Sequence, residues 1–415
     1  MDSYLFVIGL CIVIIVSFFT NVLAKKTNIP SVLILILMGI GINQMLIYFQ
    51  LEPDFFYTLE ILGIVGLIMI VLEAALDLEL KKEKWPIIWK AFVIALVSII
   101  VTPLVLSVIL QYFITGLEFL PAVIYALPLS ILSSAIIIPS VANLDEYKRE
   151  FMIYEGTFSD ILGIMIFYLI IENTDVEGMR QLSFVIGGNI ILTLVTSMVL
   201  SYVLLYVIQN IKGQAKFFLF LSVLVLLYAV GKMFHLSSLI IILMFGLLLR
   251  NHKVLLFGRL EKWLKDDRID ELFDQFKMIT VETSFLVRTF FFVVFGMILP
   301  LNMLTSWKVW IISIVFLFAS YLLRFGLFYV VEKKNTMPQT FIAPRGLISI
   351  LLFFAIPESL KTTGFESGIL FMVIIVTSII MAWSLIATRK RKTETSDEFK
   401  IICEGENENE TGISE

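Results

Sequence analysis

The sequence predicts an all-α polytopic membrane protein. It has about thirteen transmembrane helices, arranged as two inverted six-helix repeats with an extra span between them and with crossed discontinuous helices at spans five and twelve. Three observations carry this prediction. Of 415 residues, 59% are hydrophobic and only 16% charged, whereas a soluble domain carries about 25% charge. The apolar stretches alternate with basic connections on one side only. Two of the stretches, an odd number of spans apart, are interrupted by prolines.

Composition excludes soluble enzymes and secreted disulfide scaffolds. The net charge of −4 leaves no basic footprint for nucleic acid. Cys11 and Cys403 lie at opposite ends of the chain, so no disulfide is expected.

A helix crossing the hydrocarbon needs roughly 20 apolar residues. That ruler places spans at 4–24, 30–49, 57–77, 86–114, 119–141, 151–171, 182–211, 215–232, 236–250, 278–299, 307–331, 338–357 and 366–388. The first is a retained span, because it lacks a basic leader and its run from Tyr4 to Ala24 is too long for a signal peptide. Lys and Arg number 22 on the odd-numbered loops plus the start of the tail as far as Lys392, and 4 on the even-numbered side. The positive-inside rule then puts the C-terminus in the cytoplasm and the N-terminus outside, in a cell (inner) membrane. Residues 1–388 form the membrane domain. Residues 389–415 form an acidic tail expected to be disordered. The stretch 251–277, where Leu255, Leu256, Leu260, Trp263 and Leu264 alternate with basic residues, reads as an amphipathic helix on the cytoplasmic leaflet.

Polar groups inside these spans are costly, roughly 2.5–3.5 kcal/mol per central charge on insertion scales, and mark ion paths, proton relays or internal pairs. Glu73, Glu155, Asp160, Glu282, Arg288, Arg324 and Arg345 all read as deep. Glu282 and Arg288 read as a structural link between helices. Span five carries Pro121, Pro128 and Pro139 around Ser133 and Ser134, and span twelve carries Pro338, Pro344-Arg345-Gly346 and Pro357. Proline removes a backbone donor and disrupts the preceding turn. Broken backbone is tolerated at membrane depth only where protein or a cavity covers it. Interrupted helices in corresponding positions of two repeats point to a transport site near the midplane.

The run Glu155-Gly156-Thr157-Phe158-Ser159-Asp160 resembles the Glu-Ser-Leu-x-Asn-Asp signature of the monovalent cation/proton antiporters, the sodium/proton exchanger superfamily. Further pieces agree in order. Pro30 with Met38-Gly39-Ile40-Gly41 is similar to the family's second span. Ala75-Leu76-Asp77-Leu78-Glu79-Leu80 is similar to the end of its third. Phe291 to Gly296 resembles its tenth, and Ala343-Pro344-Arg345-Gly346 its twelfth. The resemblance covers about residues 4–388 and implies a homodimeric solute:proton antiporter of the electroneutral bacterial branch, serving pH homeostasis without a cofactor. Position by position, it implies that Asp160 binds the ion or the proton. Ser159 stands where electroneutral members have Asn. Glu155 pairs with Arg345 to hold the core together. Glu73 occupies the place of an acid near the ion in some members. Ser133 and Ser134 stand where the family has Thr-Asp, followed here by Ala135 instead of Pro.

The chemistry is consistent with those roles. Hard cations prefer oxygen ligands, and Asp160, Ser159, Ser133, Ser134 and carbonyls freed by the breaks offer only oxygen. A bare carboxylate is disfavoured in a poor solvent, so a proton and a cation compete for Asp160. One carboxylate serving one Na⁺ (or Li⁺) and one H⁺ gives an electroneutral 1:1 cycle. Glu155 and Ser159, four apart, share a helix face; Asp160 is rotated about 140° from Glu155. K⁺/H⁺ exchange by the same fold is the alternative. A channel would instead pass uncoupled current. A membrane-embedded enzyme lacks its residues, since the chain has two His, His235 and His252, in no His-Glu-x-x-His pattern.

Overall fold

The computed structural model describes residues 3–27, 31–49, 56–172, 195–207, 238–255, 266–299, 306–333, 336–362 and 364–388, with isolated positions between 219 and 228. Long runs of Leu, Ile, Val and Phe without interior glycine clusters favour helix, since in lipid each backbone group must be paired within its own segment. All regular structure among the described residues is helical. In chain order the helices are α1 Ser3–Thr27, α2 Ser31–Tyr48, α3 Phe56–Asp77, α4 Trp85–Phe113, α5 Phe119–Ala126, α6 Ser134–Ser140 and α7 Glu146–Glu172. They continue with α8 Val195–Val207, α9 Ser238–Arg250, α10 Asp266–Ile298, α11 Trp307–Glu332, α12 Leu347–Phe354 and α13 Gly368–Thr388. Seven of the described stretches are long and apolar enough to cross a membrane.

Most predicted spans coincide with these helices, and the differences have plain causes. Helix α7 begins at Glu146, not 151, and α10 begins at Asp266, not 278. Both helices run on past the apolar window because hydropathy marks where lipid ends, while hydrogen bonding decides where a helix ends. Of the predicted surface helix over 251–277, the described residues hold a single turn at His252–Leu255 and the first turns of α10, and the apolar positions from Leu256 to Leu264 lie outside the described residues. Residues 256–265, most of spans seven and eight, His235 and the tail lie outside the described residues.

Both predicted breaks are present. Span five is α5, a short turn at Pro128–Ser130, an extended stretch at 131–133, and α6. Span twelve is a turn at Gln339–Phe341, an extended stretch at 342–346, and α12.

Helices α2, α3, α9 and α10 pack on one another, and α4 packs on α5, α7 and α11. The broken segments lie against α7, with α6 beside it and α12 touching both it and the Pro128–Ser130 turn. At the α2–α10 crossing the backbones nearly touch. A Cβ on Gly39 would stand 2.1 Å from the Val293 carbonyl oxygen, and one on Gly296 would stand 2.3 Å from that of Ile36. Close approach through small residues is how helices gain van der Waals contact in lipid. Large apolar side chains such as Phe18, Leu37, Val108, Phe318 and Trp383 point outward, as a lipid-facing surface requires.

Candidate functional site

The two breaks meet. The Ser133 N–H donates to the Pro344 carbonyl at 2.9 Å, joining one extended stretch to the other. At Gly346 a Cβ would lie 2.5 Å from Ser133 Oγ, so the crossing needs glycine there.

Breaking two helices leaves unpaired carbonyls and amides at the crossing, each carrying the partial charge of a helix end. Charged side chains answer these ends with the sign the dipole favours. The Arg345 guanidinium donates to the Ser130 carbonyl, at the end of the first half of span five, and to Ser320 Oγ at 3.0 Å. Arg324 donates to the carbonyls of Thr340, Gln339 and Ile342 at 3.0, 3.2 and 3.1 Å, where the first turn of span twelve ends. At the start of α6 the Ser134 N–H donates to Asp160 Oδ2 at 3.0 Å.

Asp160 thus sits at the crossing. It is 1% exposed, and its second oxygen, Oδ1, is buried with no hydrogen-bond partner. A buried acceptor left unpaired is expensive, so this oxygen is where a proton or a cation would be most welcome. Ser159, next to it, has another task. Its Oγ accepts the Leu132 N–H at 3.0 Å and so holds the extended stretch against α7. Ser133 and Ser134 are both buried, and their backbone amides make bonds that define the crossing.

The expected Glu155–Arg345 pair is not formed. Glu155, fully buried, is held by Arg324 through two bonds, Nη1 to Oε1 at 2.5 Å and Nη2 to Oε2 at 2.9 Å. Arg345 instead donates to the Ser130 carbonyl, at the end of the first half of span five. The reason is geometric. Glu155 projects from α7 on a face that meets α11, and Arg345 follows an extended stretch that aims it at the free carbonyl of Ser130. Arg324 was legible in the sequence only as a deep cation; nothing local named its partner, 169 residues away.

Glu73 and Arg288 are also brought together, with Nη2 2.7 Å from Oε2. Glu282 lies exposed on α10, not in the interior. His252 is buried, with Nδ1 3.2 Å from the Leu249 carbonyl oxygen.

A cavity of about 290 Å³ runs from the end of the molecule marked by Ser31, Asp77 and Ser140 to Ser134, passing Glu73 and Arg288. This is the end that carries the basic loops. Asp160 lies one residue beyond it, on a small apolar pocket of about 10 Å³ walled by Ile70, Leu243 and Ile348. A second cavity, about 370 Å³, opens at the opposite end between Gly63, Leu67, Leu351 and Glu358.

The sequence profile of the family described as "Sodium/hydrogen exchanger, transmembrane" matches residues 12–388. No curated protein matches the chain. Two solved structures of the sodium proton antiporter MjNhaP1 from Methanocaldococcus jannaschii share its fold, both at 18% identity and both over 93% of this chain. The structure at pH 8 is covered to 99% with a TM-score of 0.66, and the electron-microscopy one to 96% with a TM-score of 0.61. With the described helices in this order, two broken spans crossing over a buried aspartate, and a family profile spanning nearly the whole membrane region, the chain belongs to the transmembrane sodium/hydrogen exchanger family.

Proposed function

We propose that the protein is a secondary active antiporter that exchanges Na⁺ (or Li⁺) for H⁺, one for one, by alternating access around Asp160. The observation that carries this reading is the single unpartnered oxygen of Asp160 at the crossing of two unwound stretches. Burial favours whichever species neutralises that carboxylate, a proton or a cation, and disfavours the bare charge. The loaded forms can therefore cross while the empty form resists, which couples the two fluxes. Glu155 is satisfied by Arg324 and Glu73 by Arg288, so among the buried acids of the described residues Asp160 remains to exchange. One cation against one proton moves no net charge.

Cavities at the two ends, separated by the Ile70 and Ile348 layer around Asp160, support a cycle with access from two sides. The oxygen-only donor set suits K⁺ as well as Na⁺ and Li⁺, and assays with each cation rank them. The expected homodimer and the cytoplasmic C-terminus belong to this same reading.

In proteoliposomes with an internal pH-sensitive dye, cation addition should dissipate a preset proton gradient, and an imposed potassium/valinomycin potential should leave the rate unchanged. Asp160→Asn should insert and fold normally yet abolish exchange. Exchange at the wild-type rate in that variant would sink the scheme.

A further inference from the structure

The inner cavity holds two acids, and each already has a tethered cation. Asp77 is 3.0 Å from Lys277 Nζ, and Glu73 is 2.7 Å from Arg288 Nη2. The second pair is the deeper one. Glu73 and Arg288 line the same cavity that ends at Ser134, the residue whose amide holds Asp160. Ile70 and Ala74, on the same helix as Glu73, wall both that cavity and the small pocket beside Asp160. A cation on its way to Asp160 from this end passes the Glu73 carboxylate.

Arg288 does not resemble a structural arginine. Arg324 shows what one looks like here: five hydrogen bonds, two to a carboxylate and three to carbonyls, with the side chain 5% exposed. Arg288 has one. Its Nη2 bonds Glu73, its Nε is buried without a partner, and the side chain is 19% exposed on the cavity wall. Helices α3 and α10 do not depend on the pair for their contact, since they pack along their length and Ser284 Oγ, one turn before Arg288, donates to the Met69 carbonyl at 3.2 Å.

We propose that Arg288 is a tethered counter-cation that withholds Glu73 from the transported ion and so sets the cation affinity of the inner cavity. A carboxylate facing water with no partner would attract the substrate cation. One clamped by a guanidinium presents a nearly neutral pair. The ion is then passed to Asp160 without being retained on the way. The inference rests on the reading of Asp160 as the exchanging group.

A charge cycle tests it, with the apparent KM for Na⁺ measured by dye dequenching in proteoliposomes. Glu73→Gln leaves a lone guanidinium on the path and should raise KM on the order of threefold to tenfold. Arg288→Gln leaves a lone carboxylate and should lower KM by a similar factor. The double variant should return KM to within about twofold of wild type, because the cavity is again neutral. A pair that only holds helices together would impair both single variants in the same direction. A Glu73 that ligates the ion itself would leave the double variant as weak as Glu73→Gln. Either result overturns the proposal, as does an unchanged KM in Glu73→Gln. If Arg288→Gln cannot be recovered folded, the comparison of Glu73→Gln with the double variant decides by the same criterion. Failure of all charge-removing variants to fold would make the pair structural and overturn it too. Exchange by Asp160→Asn would sink the parent reading and leaves the KM pattern to judge Arg288 alone.

Discussion

Glu155 and Asp160 sit five residues apart on one helix and have opposite fates. Glu155 has both oxygens claimed by Arg324, while Asp160 has one oxygen on the Ser134 amide and one unclaimed. The turn of the helix between them is what separates a fully paired carboxylate from a half-satisfied one. Breaking the pair strands a buried charge, a loss of about 3–5 kcal/mol. Glu155→Gln should therefore lower thermal stability in detergent sharply, whereas Asp160→Asn should not, since it removes a charge that forms no contacting salt bridge among the described residues. Equal melting temperatures for the two variants would refute this division. The sequence showed that Glu155 would be paired, because an unpaired acid at that depth is unaffordable. It did not show which arginine, because three read as deep, Arg288, Arg324 and Arg345, and the choice depends on helix rotation.

At the scale of elements, the breaks and the glycine crossing have different legibility. The breaks were readable because proline acts on its own chain. Pro128 and Pro344 sit within or beside the extended stretches they help create. The α2–α10 crossing was not readable as a contact. Gly39 and Gly296 each lie in a segment that resembles the family's pattern, yet only the fold sets one against the other. Because the obstacle at each is backbone, neither side can yield cheaply. Gly296→Ala should destabilise the protein by about 1–3 kcal/mol, read as a fall in melting temperature without a change in cation preference. A variant as stable as wild type would show that the two helices can separate freely at this point.

The whole molecule has a cavity at each end and a buried acid between them. On the proposed topology the end whose loops carry 22 Lys and Arg against 4 faces the cytoplasm. In a background with Cys11 and Cys403 replaced by Ser, Ser140→Cys should react with a membrane-impermeant thiol reagent only in inside-out vesicles. Lys361→Cys should react only in right-side-out ones. The reverse pattern would invert the topology.

The sequence alone determined the membrane class, the order of the spans, the two breaks and the candidacy of Asp160. Each is a local property: hydropathy over a window, a missing amide hydrogen at proline, the cost of one charge in hydrocarbon. Only the tertiary structure decided which charges meet. Glu155 takes Arg324 across 169 residues and Glu73 takes Arg288 across 215. Each residue turns the helix by about 100°, so a small rotation redirects a side chain to a different neighbour, and only the packed bundle fixes that rotation.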